Sequence, residues 1–322
     1  MKLARRSLLG ATASLALANA SYANQTFWPG ALEMGTGQPG GTFTIFGPAW
    51  GRLITQATGV EIVYCSSDGS GSNLLLIEEG SAQLGICSLP VAIEAHNGTS
   101  SWTAGAKLEQ FRVLFPAFPS VLQIVSTIDG VSTLAELQGR PVGMGPITTA
   151  APLLLKQVFS SQGITPNLVT QGDYAQQVNE LLHGKLAACA FFGAPPVPAL
   201  RAVASANRMR LIGFSAAEAA RVASFVPGVM PAVLKAGTFP GQTVDVGSVG
   251  TLDLAVGSAS LPDSLAEAAT LAALQHRAQL STLIPSAAQP LPIETIKQAG
   301  LPFHPGAAKA LYRLGYNVHH TR

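Results

Sequence analysis

The sequence predicts an α/β protein of two lobes, built on two mixed or parallel sheets joined by two crossing segments. Three observations predict it. Strand-like and helix-like stretches alternate along nearly all of the chain, the pattern of parallel βα units. Small-residue loops recur where a strand gives way to a helix. Two extended stretches, near Ser120–Thr127 and Val244–Gly250, suit passages between lobes and would absorb a hinge rotation. The expected division is residues 1–23 as a leader, 24–121 with 245–322 as lobe I, and 122–244 as lobe II.

The elements follow in order. Ala31–Met34 reads as a short first strand. Thr42–Ala57 reads as a helix, because Phe43, Phe46, Trp50, Leu53 and Ala57 recur at three- and four-residue steps. Val60–Ser66 is a second strand. Gly71–Glu79 is a helix stopped by Gly80. Leu84–Ser88 is a third strand, and a helix from Pro90 to His96 ends near Asn97-Gly98. Phe111–Phe115 and Val121–Thr127 read as two strands separated by Pro116 and Pro119. Thr133 and Glu136 have capping-box spacing, with Gly139 as the stop. Pro141–Gly145 and Leu168–Gln171 are strands around a Thr149–Gln162 helix. Asp173 caps a helix that runs to His183. Leu186–Phe192 and Arg210–Phe214 are strands, and Val246–Gly257 is the extended return crossing. Pro262–Ser281 reads as one long Ala/Leu helix, followed by a shorter helical tail from Pro292.

Composition narrows the function. Of 322 residues only 11% are charged and 48% are hydrophobic, which excludes a disordered chain. Lys2, Arg5 and Arg6 precede an apolar Leu8–Ala18 run and small residues, with Ser21-Tyr22-Ala23 or Ala18-Asn19-Ala20 as cleavage site. That is an export signal, too short to span a bilayer. Arg5-Arg6 also hints at twin-arginine export, with general secretion as the alternative. Without those three cations, 16 of the 19 basic residues face 17 acidic ones, for a net charge of −1. Such a chain has no electrostatic footprint for nucleic acid. A bacterial periplasm is the expected compartment. Cys65, Cys87 and Cys189 lie in apolar strand-like runs and read as small buried hydrophobes, a Cys65–Cys87 disulfide being the alternative.

Three loops could carry chemistry. Gly35-Thr36-Gly37-Gln38-Pro39-Gly40-Gly41-Thr42 satisfies G-x-G-x-x-G, but the acid that a dinucleotide ribose needs about 20 residues on is missing; Asp68 stands more than 30 residues from Gly35. The expectation keeps the glycines and drops the cofactor: the N–H groups of Gly40, Gly41 and Thr42 are free donors at a helix start, beside Phe43. A plain tight turn is the alternative. Ser66–Asn73 also leads from strand to helix, offering Ser67, Ser70 and Asn73, and Ser88 follows the third strand onto the same carboxyl edge. Capping and turn formation would explain these serines equally. Gly145–Ala150 brings Thr148 and Thr149 to a helix start in the other lobe, and Gly193 ends a further strand. No G-x-S-x-G, HExxH or paired-ligand histidine spacing occurs, so neither a catalytic residue nor a metal is expected, and no cofactor is called for.

The succession of these motifs resembles the TAXI family, solute-binding proteins of TRAP transporters. GTGQPGGTF at 35–43, SSDGSGSNLLLIEEGSAQLGI at 66–86, GTFPGQ at 237–242 and FHPGAAKALYRLG at 303–315 carry the resemblance, and LLHGKLAACAFF at 181–192 fits its helix–Gly–strand run. Phe43 stands where the family usually has Tyr, and Asp68 where it has a small residue. The resemblance implies a two-lobed periplasmic binding protein of type II-like fold. It implies a monomer that closes on a small carboxylate or amino acid, such as glutamate, glutamine or 2-oxoglutarate. It further implies delivery to membrane-embedded TRAP subunits. A sensory binding module would share fold and ligand. An exported enzyme would use Asp68 with Ser67 or Ser70.

Overall fold

In the computed structural model, residues 28–205 and 209–318 are described. The expected leader at 1–23 lies outside them. Ten strands form one mixed sheet. Strands β1 (Ala31–Gly35), β2 (Glu61–Cys65) and β3 (Leu84–Ser88) alternate with helices α1 (Phe43–Thr58), α2 (Ser70–Glu78) and α3 (Leu89–Asn97). A second run contains β5 (Pro141–Gly145), α4 (Ala150–Gln162), β6 (Asn167–Thr170), α5 (Tyr174–Leu182) and β7 (Ala188–Gly193). β4 (Phe111–Ser126) connects the runs, and β10 (Val246–Ser258) returns beside it. The order is β2-β1-β3-β10-β4-β7-β5-β6. In addition, β8 (Arg210–Ile212) pairs with β4, and β9 (Val229–Leu234) with β10.

Register explains the architecture. The β2-β1-β3 trio is parallel, and so is the β6-β5-β7 trio. Between them β4 and β10 run antiparallel to each other and to their outer neighbours β7 and β3. The trios therefore point in opposite directions, each with its carboxyl end toward the middle. Asp253 links the level of Ser88, the end of β3, to Phe118 on β4. Gly193, the end of β7, pairs with Val121. The two carboxyl edges thus face each other across only a few residues of β4.

The expected pair of strands at 111–115 and 121–127 is one strand. Pro116 and Pro119 are accommodated because register shifts fall beside them, between Asp253 and Leu254 and between Ala255 and Val256. The expected 262–281 helix is two, α8 (Asp263–Gln275) and α9 (Arg277–Leu283), broken at His276, whose backbone leaves helical geometry. Helices α6 (Leu200–Ser205) and α7 (Ala216–Phe225) and strand β9 were not anticipated. The tail holds α10 (Ile293–Gln298) and α11 (Pro305–Arg313).

One apolar cluster packs α1, β1 and β3 against α8 and α9 through Met34, Trp50, Phe118, Leu265 and Leu280. A second lies in the other run, around Val125, Leu181, Phe191 and Phe239. Cys87 and Cys189 are buried free thiols; Cys65 is also free but partly exposed, its Sγ 3.4 Å from Glu33 Oε2. The Cys65–Cys87 disulfide does not form. No described helix is long and apolar enough to cross a membrane.

Candidate functional site

The facing carboxyl edges enclose a gap lined by Gly37, Gln38, Gly41, Thr42, Phe43, Asp68, Gly69, Ser70, Thr149, Ala150, Tyr174 and Phe192. Four helices begin there. Thr42 and Phe43 open α1, Ser70 opens α2, Thr149 and Ala150 open α4, and Tyr174 opens α5. At a helix start the first N–H groups have no intrahelical partner and the end carries a partial positive charge; here those of Gly71 and Tyr174 are used across the gap. The lining includes no Lys, Arg or His, and its one charged residue, Asp68, is exposed at the rim.

The gap is narrow, with about 30 Å³ open to the centre of a water-sized sphere. It is held shut by direct bonds between the edges. Gln38 spans it twice: Nε2 donates to Gly172 O at 3.0 Å, and Oε1 accepts the Tyr174 N–H at 2.9 Å. Ala199 N donates to Gly40 O, Gly71 N to Thr148 O, and Ala194 N to Thr42 Oγ1, at 2.9, 2.8 and 3.1 Å. Ser72 and Thr148 hydroxyls lie 3.1 Å apart. Glycine is required where the edges approach. A Cβ on Gly40, whose φ is +87°, would stand 3.0 Å from Ala199 Cβ, and one on Gly71 would stand 3.1 Å from Thr148 O.

Of the residues singled out from the sequence, Gly41, Thr42, Phe43, Ser70 and Thr149 line the gap. Gly40 and Thr148 bridge its edges instead, and Gly193 packs behind it, where a Cβ would come 2.6 Å from Thr42 Oγ1. Ser67, Asn73 and Ser88 serve the loop itself. Asn73 is fully buried; Nδ2 donates to Thr36 O and Ile86 O, and Oδ1 accepts from Ser67 Oγ. The Ser88 N–H donates to Ser70 Oγ. One detail departs from expectation: the Gly41 N–H is not free but donates to Gln38 O, closing the turn.

Sequence reasoning missed Gln38, Tyr174 and Phe192. Gln38 occupies a variable slot of the glycine motif, and its partners lie 134 and 136 residues away. For Tyr174 the signal existed: it follows the Asp173 cap, whose Oδ1 accepts the Gln176 N–H at 2.6 Å. Burial, and secondarily the carboxyl of Asp253, hold the Tyr174 phenol above its ordinary range, so it is a neutral hydroxyl.

A two-way parallel α/β sheet with helix starts gathered at its central gap is the fold of periplasmic binding proteins, of Venus flytrap type. Residues 34–313 match the NMT1-like family, and the chain belongs to it. Solved structures agree on the fold. An R. palustris protein solved with adipate superposes with a TM-score of 0.57 at 16% identity, covering 90% of this chain and 99% of that one. A structure described as a periplasmic transporter gives 0.56 at 12%, over 90% and 98%. An ancestral arginine-binding protein bound to arginine gives 0.52 at 14%, over 82% and 100%.

Proposed function

We propose that the protein is a periplasmic solute receptor of the TAXI kind, which captures a small carboxylate or amino acid by hinge closure and hands it to a TRAP-type membrane symporter. The observation that carries this is the meeting of four helix starts at one gap between two oppositely directed parallel trios. Neutral N–H and hydroxyl donors at positive helix ends suit a carboxylate without a dedicated Arg. Hydrogen bonds to a charged acceptor contribute about 1.5–3 kcal/mol each, so three or four support binding near −8 kcal/mol after ordering costs, about micromolar.

The lobes we assign are 24–121 with 245–322, and 122–244. Their crossings are the β4 and β10 stretches around Ser120 and Gly250, which pair with each other. A ligand touching both edges binds the closed form better and shifts the population toward it. The TRAP partner is supported by the TAXI-like motifs at 35–43, 66–86, 237–242 and 303–315. The periplasm is supported by the basic and apolar leader. The adipate and arginine complexes of the structural neighbours fit a small polar solute.

The test is a thermal-shift screen of residues 24–322 against mono- and dicarboxylates and amino acids. A binding solute raises the midpoint by mass action. Thr42→Ala is expected to weaken binding about tenfold while leaving the midpoint of the free protein within a few degrees. A flat response to every acid would remove the carboxylate reading.

A further inference from the structure

We propose that Asp253 is the ligand's counter-group at the base of the cleft, and that the solute is therefore an amino-acid zwitterion whose ammonium meets this carboxyl, in preference to a plain dicarboxylate. This rests on the receptor reading above.

Asp253 lies on β10 at the level where β3 ends, paired with Ser88 on one side and Phe118 on the other. It is fully buried. Ser120 Oγ donates to Oδ2, while Oδ1 has no hydrogen-bond partner among the described residues. No described Lys, Arg or His forms an ion pair with it. An acid buried in a sheet without a cation is costly to stability. Its place links it to the gap from two directions. Its cross-strand neighbour Ser88 donates its N–H to Ser70 Oγ, and Ser70 lines the gap. Its other cross-strand neighbour, Phe118, meets Phe43 edge-on with ring centroids 6.4 Å apart, and Phe43 lines the gap. It also stands two residues from the Thr251–Ser120 pair at the β4–β10 crossing, so opening there uncovers the base of the cleft.

The charges then sort the solutes. Four helix starts accept one carboxylate. A second carboxylate would find Asp68 at the rim, no cationic side chain in the lining, and in Asp253 a carboxyl whose ionisation it would oppose. An ammonium would instead find Oδ1 and form a charge-assisted bond. Burial holds the Asp253 carboxyl well above the usual carboxylate range. The titratable groups around it are the Cys87 thiol of β3 and the Tyr174 phenol of α5, both held neutral by burial. β4 contributes only the Ser120 hydroxyl. An ammonium beside it lowers that value, so binding releases protons to solvent and affinity rises with pH between the two values.

The test is calorimetric titration with matched pairs: L-glutamate against glutarate, and L-aspartate against succinate. For at least one pair the amino acid is expected to bind at least tenfold tighter. Repeating the titration in buffers of different ionisation enthalpy should show a net release of protons on amino-acid binding. Asp253→Asn should reduce the preference to about threefold or less and abolish the proton release. Equal or reversed affinity within the pairs overturns the role of Asp253 while leaving the carboxylate reading standing. An amino-acid preference without proton release by the unaltered protein also overturns it, whether or not the variant folds. Binding of neither member of either pair removes both readings.

Discussion

His304 shows how a residue that reads as a signature can act structurally. It caps α11, its Nδ1 accepting the Gly306 N–H at 3.2 Å, with Pro305 at the first helical position. Gly306 lies against the start of α8, where a Cβ would collide with Asp263 O. Gly306→Ala should therefore cost about 1–3 kcal/mol in urea unfolding, as overpacking does. Burial holds His304 below its ordinary pKa, and the Asp263 carboxylate 3.7 Å away opposes this only in part. The unfolded chain then takes the proton first, so this contribution is intact above pH 6.5 and is lost as pH falls toward the lower folded value. Thermal midpoints should drop between pH 7 and 5, and His304→Asn should drop less; equal drops would assign the acid sensitivity elsewhere. At this scale the sequence was only partly legible. The Thr42 and Thr149 positions could be read because they follow strand-to-helix glycine loops. Asn73 read as a ligand contact because a sequence does not show that Thr36, Ile86 and Ser67 use all of its amide. Asp253 was hidden within an apolar run, and only the register of three strands reveals what stands beside it.

The two strand-to-helix edges work as elements because their loops are short and glycine-lined. Gly71 sits inside α2, where alanine is favoured by up to about 1 kcal/mol. Its Cβ would nevertheless stand 3.1 Å from Thr148 O and from Trp102 Cζ2. Gly71→Ala should thus leave the fold intact but obstruct closure. The expected result is a larger radius of gyration in small-angle scattering with saturating ligand, and about tenfold weaker binding; unaltered compaction would mean that the edges close elsewhere. Gln38→Ala removes both cross-gap bonds of that side chain and should open the unliganded protein in the same measurement. Most βα units were legible because apolar runs and glycine stops coincide. β4 was not, because Pro116 and Pro119 read as breakers; the bulges that admit them are set by β10, more than 100 residues on. The break of α8 at His276 was hidden by an unbroken Ala/Leu pattern.

On the scale of the whole molecule, β4 leads from one βα run to the other and β10 returns beside it, and several early elements meet their closing partners late. Trp50 Nε1 donates to Ala269 O, Trp28 Nε1 to Ser264 Oγ, and Val113 N to Pro302 O. The cluster that buries Met34, Phe46 and Phe118 includes Ala255, Leu265, Leu280 and Ala307. The alternation that predicts an α/β fold carries no hint of this, since it records neighbours along the chain and not across it. A fragment ending at residue 245 should accordingly show no cooperative thermal transition by circular dichroism, whereas residues 24–322 should show one.

This lateness governs how the protein is born. While the ribosome is still adding β10, the indole of Trp50 and the rings beside it have no roof, and the sheet lacks a central strand. The nascent polypeptide thus remains soft and threadable until almost its last codons, available to whatever machinery must handle it before the two ends meet.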